Sequence, residues 1–335
     1  MTLEEVVANM KKAIVVFGAS GDVGRYAVDY LVDHLDADEY SIVAVGTRDF
    51  SYFGRRGIEY IRVDITKPEQ FDGLPTHVYA VIDLAGAMPA KMPGFFPHQY
   101  IDVNINGTIN ILEYCRKNQV DRIVYAHSFG DIKDNAEKDI LLRVDSPIKF
   151  SLRSDHSIYV ISKIAAVNII KYYHEVYGLK YFILRLPNIY MYSSSDSFFV
   201  DGVERKIAFR YMIDRAIRGE SIEVWGDPSR VKDMVYVKDL CQMIYRCILS
   251  DRTAGFYNVG TGIGISLEDQ IKGIIEVFCS EKKSEMLYAP GKPNAPQYIM
   301  DIEPARREIG YNPEYSNYLL MLEDYKKEME EKRFE

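Results

Sequence analysis

The chain has 335 residues, with 41 Lys and Arg against 49 Asp and Glu, a formal net charge of −8. That length holds one large or two modest domains, and 47% apolar with 27% charged residues is the composition of a globular protein. A net negative surface excludes bulk binding to nucleic acid or anionic membrane, which need surplus Lys and Arg, while leaving room for a small anion at a local cationic cluster. Cys115, Cys241, Cys247 and Cys279 form no CxxC pair and have no histidine at ligand spacing, so reduced structural thiols and no metal are expected. The start, Met1-Thr2-Leu3-Glu4-Glu5, lacks the positive charge of a leader, and no apolar run reaches membrane length. A cytoplasmic protein with no membrane partner is predicted.

Residues 12–17, Lys-Ala-Ile-Val-Val-Phe, are rich in β-branched side chains and read as a strand ended by glycine. A helical pattern runs from Asp22 to His34, and a second strand from Ile42 to Val45. Further strand candidates are Tyr60–Val63, Val78–Leu84, Arg122–Ala126, Tyr181–Leu186 and Met234–Val237, with long helical patterns at Ile101–Asn118 and Ser157–Tyr177. Near-continuous apolar strands alternating with helices predict an α/β fold, a doubly wound parallel sheet with ligands at the carboxyl ends of its strands. After Leu186 the rhythm loosens. Asn188–Phe199 reads as a Ser- and Tyr-rich loop, a helix follows near Lys206–Arg218, and a loop with Pro290, Pro293 and Pro296 precedes a charged terminal helix. The expected organisation is residues 11–186 with 233–259 as the first domain, the chain returning at Met234–Val237. A smaller, discontinuous α/β substrate domain takes residues 187–232 with 260–335.

Gly18-Ala19-Ser20-Gly21-Asp22-Val23-Gly24 links the first strand to the first helix. Glycines there let the backbone turn tightly and approach a pyrophosphate, while the helix N-terminus offers amide donors and positive dipole. The end of the second strand bears on cofactor choice. An acid there suits the ribose of NAD, whereas arginine accommodates the phosphate of NADP. Gly46 stands where the acid belongs, followed by Thr47 and Arg48, which favours NADP; Asp49 keeps NAD open.

Tyr159 and Lys163 lie four apart on a helical pattern and so share a face. A phenol is a poor base at neutral pH, but a close ammonium and an oxidised nicotinamide ring both stabilise its phenolate. Such a tyrosine exchanges a proton with an alcohol while the cofactor exchanges a hydride. Ser128, just after the strand Arg122–Ala126, is placed to donate into the same cleft.

The glycine loop, Asp64, Asn104 in Val103-Asn104-Ile105-Asn106-Gly107-Thr108, Ser128 and the Tyr159/Lys163 pair together resemble an extended short-chain dehydrogenase/reductase with a Rossmann-like fold. Arg185-Leu186-Pro187-Asn188, Val224-Trp225-Gly226-Asp227, Asp233 to Asp239 and Tyr257 to Gly262 follow that family's order, as do Asp301 to Arg306 and Ile309 to Pro313. The C-terminal motifs are similar to its nucleotide-sugar epimerase/dehydratase branch. The resemblance implies a nucleotide-diphosphate sugar substrate and cofactor contacts from Asp64, Ile65, Leu84, Ala85, Gly86, Asn104, Tyr159, Lys163 and Pro187. It also implies substrate contacts from Ser128 and Asn188, and a homodimer. Two departures stand out: Lys232 and Lys292 occupy positions where the family usually has diphosphate-binding arginines, with Arg230 a candidate substitute. His127, replacing a small residue, reads as a satisfied structural histidine.

A 4,6-dehydratase of this family would carry an Asp-Glu pair after the serine, but Phe129-Gly130 stand there. Epimerisation and keto-sugar reduction both remain open. So do reduction of a non-sugar ketone and a non-catalytic role as an NADP-binding regulator, although the retained Ser, Tyr and Lys oppose the regulator. The helices Ile101–Asn118 and Ser157–Tyr177 are apolar on more than one face, as a twofold dimer contact would require.

Overall fold

In a computed structural model, which describes residues 11–334 other than 155, 280 and 281, the apolar runs become strands buried on both faces. The N-terminal pentapeptide, on which the expectation of no leader rests, lies outside the described residues. Seven strands form the central sheet: β1 (Lys12–Phe17), β2 (Tyr40–Gly46), β3 (Glu59–Arg62), β4 (Val78–Asp83), β5 (Arg122–Ser128), β6 (Lys180–Leu186) and β7 (Ala254–Asn258). Every pair is parallel, in the order β7-β6-β5-β4-β1-β2-β3. The order reverses between β1 and β4, and a doubly wound sheet opens its ligand crevice at such a reversal.

The longer helices are α1 (Asp22–His34), α2 (Thr108–Lys117), α3 (His156–Tyr177), α4 (Ala208–Ile217), α5 (Val237–Leu249), α6 (Leu267–Phe278), α7 (Glu303–Ile309) and α8 (Tyr318–Glu330). Successive side chains of a strand point to opposite faces. Thus Ile14 and Val16 join Leu31 of α1 and Leu240 of α5 in one core, while Val15 and Phe17 join Leu112 of α2 and Ile170 of α3 in the other. Each such fully buried side chain contributes about 1.5–3 kcal/mol. The first core continues without a break into α4, α6 and α8 through Ile213, Ile274 and Met321.

Three elements differ from expectation. Met234–Val237 is no strand of the sheet: Val235–Tyr236 pairs only with Ile189–Tyr190, Val237 opens α5, and β7 brings the chain back. A short apolar run does not by itself reveal which partner it pairs with. The expected loop at Asn188–Phe199 contains Ile189–Tyr190 and the first residues of a hairpin, Ser197–Val200 with Val203–Lys206. That hairpin turns on Asp201 (φ 48°) and Gly202 (φ 73°), the Asp-Gly signal of a tight two-residue turn. Ile101–Asn118 is not one helix either, because a π-helical segment, Asp102–Gly107, interrupts it. Gly107 there lies against Ile65, whose Cδ1 would stand 2.6 Å from an added Cβ.

Candidate active site

The glycine loop brings α1 against the carboxyl ends of β1 and β4. Gly18 has φ +77°, and a Cβ there would sit 2.7 Å from the Ala85 nitrogen and the Leu84 carbonyl carbon; one on Gly24 would collide with the Gly18 carbonyl. Gly21 caps α1 with no side-chain hydrogen bond, so the first-turn amides have no side-chain acceptor and fit an anion such as a pyrophosphate. Val23 is half-buried in that turn. The Asp22 carboxylate faces away from such a role: it pairs with Arg25 (2.6 Å) and Lys91 (2.7 Å) and accepts from Ser193 Oγ (3.2 Å). Burial opposes its ionisation, but Lys91 and Arg25 hold the carboxyl below its ordinary range.

At the end of β2, a side chain on Gly46 would have to displace two neighbouring side chains. A Cβ on Gly46 would lie 2.5 Å from Ser20 Oγ and 2.8 Å from the Tyr60 hydroxyl. Arg48 donates from Nη2 to the Ser20 carbonyl (2.5 Å), tying the strand end to the glycine loop. Thr47 is exposed, and exposed Asp49 pairs with Arg62 (2.9 Å). Asp64 accepts from the Thr66 amide and hydroxyl (3.0 and 2.8 Å), which orders the turn after β3.

Ser128 ends β5, and α3 carries Tyr159 and Lys163. The Gly130 amide donates to Ser128 Oγ (3.1 Å), so the hydroxyl proton is free to point elsewhere. Burial raises the Tyr159 pKa, and a hydrogen bond with Ser128 opposes the rise. Lys163 Nζ lies 4.1 Å from the centroid of the Tyr125 ring. A buried cation seeks a π face when no carboxylate is within pairing distance. Burial pulls the Lys163 pKa down to about 8, against the charge of Asp83. The same ammonium is 4.0 Å from where a Gly86 Cβ would be. Asn104, on the π segment, accepts from the Ala87 amide (2.8 Å) and donates to the Ala87 carbonyl (3.1 Å) and Ser162 Oγ (3.0 Å). Gly18, Leu84, Ala85, Gly86, Asn104, Ser128, Tyr159 and Lys163 therefore converge around the ends of β4 and β5.

Sequence reasoning missed Asp83, Tyr125 and Ser162. The signal for Asp83 was a lone carboxylate inside the apolar run Val81-Ile82-Asp83-Leu84, where burial of a charge is costly without a purpose.

On the substrate side, Pro187 is buried directly after β6 and Asn188 is exposed. Lys232 is half-buried, with its ammonium 5.3 Å from the Tyr190 ring; burial lowers its pKa, and Tyr298 opposes this. Lys232 bridges to Tyr298, whose ring packs 5.0 Å from that of Phe129, the neighbour of Ser128. Lys292 is exposed and 5.2 Å from the Trp225 ring, while Arg230 donates to the Ala295 carbonyl (2.5 Å). His127 is buried against Asp131 (3.0 Å), which also receives Arg185 (2.9 Å). Burial lowers the His127 pKa, so the ring stays neutral near neutral pH. Among the described residues no cluster of His, Cys, Asp or Glu is arranged for a metal, and no helix is long and apolar enough to cross a membrane.

The chain is similar to known proteins along most of its length. A putative UDP-glucose 4-epimerase of Methanocaldococcus jannaschii is 27% identical over 305 residues, covering 90% of this chain and 93% of that protein. A dTDP-glucose 4,6-dehydratase of Haemophilus influenzae is 24% identical, covering 86% and 84%. The crystal structure of a Thermotoga maritima UDP-glucose 4-epimerase superposes with a TM-score of 0.74 at 22% identity, covering 95% of this chain and 99% of that one. Residues 14–260 match the NAD dependent epimerase/dehydratase family, and the chain belongs to it.

Proposed function

We propose that the protein transfers a hydride between a nicotinamide dinucleotide and a carbinol or ketone carbon of a nucleotide-diphosphate sugar, and that it does so as an epimerase. The convergence of Ser128, Tyr159 and Lys163 on the carboxyl ends of β4 and β5, beside the uncapped first turn of α1, carries this reading. A bound nicotinamide supplies the hydride acceptor and donor. Tyr159 takes the proton from the sugar hydroxyl, and Ser128 donates to the same oxygen as charge develops. Lys163 adds positive charge to the floor of the cleft, and Lys232 meets the substrate diphosphate. Phe129, packed on Tyr298, leaves no acid where dehydration would need one. UDP-glucose 4-epimerases among the relatives and solved structures support the same chemistry.

A second reading, reduction of a keto-sugar by NADPH, is favoured by one observation. Gly46 stands in place of a ribose-binding acid, with the Ser20 and Tyr60 side chains close against it, and Arg48 stands two residues on. The partner inferred for either reading is a second copy of the chain, through exposed Ile161, Tyr172, Val176 and Tyr177 of α3.

The test is the cofactor released on denaturation together with interconversion of UDP-glucose and UDP-galactose. Retained NAD with turnover supports epimerisation, and NADPH-dependent consumption of a keto-sugar supports reduction. Tyr159→Phe is expected to lower turnover by roughly 10²–10⁴-fold while cofactor binding persists. Undiminished turnover in that variant would refute the role given to Tyr159.

A further inference from the structure

Asp83 is a buried carboxylate with no part in the chemistry described above. It ends β4, is 1% exposed, and lies opposite Tyr125 in the register of β4 with β5. Its Oδ1 accepts from the Ala85 amide (3.1 Å), inside the turn that Gly18 touches, and its Oδ2 is buried with no hydrogen-bond partner. An ionised carboxylate so placed is costly unless another charge compensates it.

The surroundings identify that charge. From β5 comes the Tyr125 ring, with the Lys163 ammonium 4.1 Å from its centroid. From α2 comes the Cys115 thiol, which burial and then Asp83 push far up, so it stays neutral. From α3 come Lys163 and Tyr159, whose pKa burial raises and a hydrogen bond with Ser128 lowers. β1 presents Phe17, beside Asp83 in the register. Among the described residues, Lys163 is the one cation acting on Asp83, and Asp83 the one carboxylate acting on Lys163.

We propose that Asp83 is a positioning residue: its buried carboxylate supplies the negative charge that seats the Lys163 ammonium over the Tyr125 ring, facing the cofactor cleft. This rests on Lys163 serving a bound dinucleotide, as the proposed function holds. The consequence is specific. Without Asp83, the lysine has only burial and a π face around it, and sheds its proton at lower pH.

The experiment is the affinity for NAD⁺ between pH 6 and 9.5, followed by protein fluorescence, for the wild type, Asp83→Asn and Lys163→Met. Asparagine keeps the acceptor for the Ala85 amide and the volume of the side chain. Should it not fold, as judged by circular dichroism, Asp83→Ser takes its place. The wild type is expected to lose affinity above an alkaline break that Lys163→Met lacks. In the Asp83 variant that break moves down by at least one pH unit, so that near pH 9 binding is about tenfold weaker. At pH 6 the two agree within about twofold, because the lysine is charged in both. An unmoved break, or weakening by the same factor at every pH, overturns the proposal. Binding curves that shift as expected in a protein that never turns over UDP-sugars would instead defeat the function proposed above and leave this inference standing.

Discussion

Replacing Glu328 by glutamine tests how the C-terminal helix is fastened to the sheet domain. The side chain, on α8, is 2% exposed. It receives the Tyr26 hydroxyl from α1 (2.5 Å) and the Tyr236 hydroxyl (3.2 Å), and it pairs with Lys238 (3.0 Å) and Arg333 (2.9 Å). Removing one partner of a buried ion pair costs about 3–5 kcal/mol when the other charge is stranded. Here neither cation is stranded, because Lys238 keeps Asp324 (2.5 Å) and Arg333 keeps Asp29 (3.0 Å). A glutamine carbonyl also still accepts from a tyrosine. The expected cost therefore falls to about 2–3 kcal/mol. With an unfolding entropy of about 2.1 cal/mol/K per residue, a chain this long loses about 3–4 °C of Tm. The assay is a thermal melt at pH 7.5, with Glu330→Gln on an exposed position of the same helix as control, expected to shift Tm by less than about 1 °C. An unchanged Tm in Glu328→Gln refutes the ion-pair argument. A fall beyond about 10 °C refutes the compensation by Asp324 and Asp29.

Arg48→Ala is expected to weaken NADPH by roughly 10–100-fold and NADH by less than about threefold, from loss of one charge-assisted bond, read by nucleotide fluorescence. Equal losses would mean that Arg48 acts only by holding the Ser20 carbonyl. Burial pushes the Asp239 carboxyl up to about 7, against hydrogen bonds from the Tyr315 and Glu314 amides. The folded state thus holds a proton that the unfolded chain releases near pH 4, so this contribution is complete below pH 4 and lost as pH rises through about 7. The stability of the wild type relative to Asp239→Asn should fall by about 2–4 kcal/mol between pH 4.5 and 8, and a flat difference would refute the assignment. Gly24→Ala should abolish cofactor binding or folding, since its methyl meets the Gly18 carbonyl; a variant that folds and binds normally contradicts the packing of that loop. Light scattering should give a dimer, and Val176→Glu a monomer; a monomeric wild type rules out the α3 contact.

Much of the fold was legible because local and long-range demands coincide. Helix α1 begins and ends where its pattern does, and the glycine loop lies where three close backbone approaches require it. What escaped detection depends on partners distant in sequence. The run at Met234–Val237 looks like a strand, but which sheet it joins is decided by Ile189–Tyr190. The π segment adds a wide turn that ordinary helical periodicity absorbs without a trace. At the site, spacing placed Tyr159 and Lys163 on one face, yet the direction of the ammonium is set by Tyr125 and Asp83, both on other elements.

The place of β7 has a consequence for synthesis. The sheet's outermost strand is encoded roughly seventy residues after β6, its only neighbour. A ribosome adding about 5–20 residues per second needs some 4–14 s to deliver it. Through that interval the nascent chain carries β6 as an open edge rich in unpaired amides and carbonyls, the surface that recruits foreign strands. Factors that hold nascent chains therefore matter most to this protein between the emergence of Leu186 and that of Ala254.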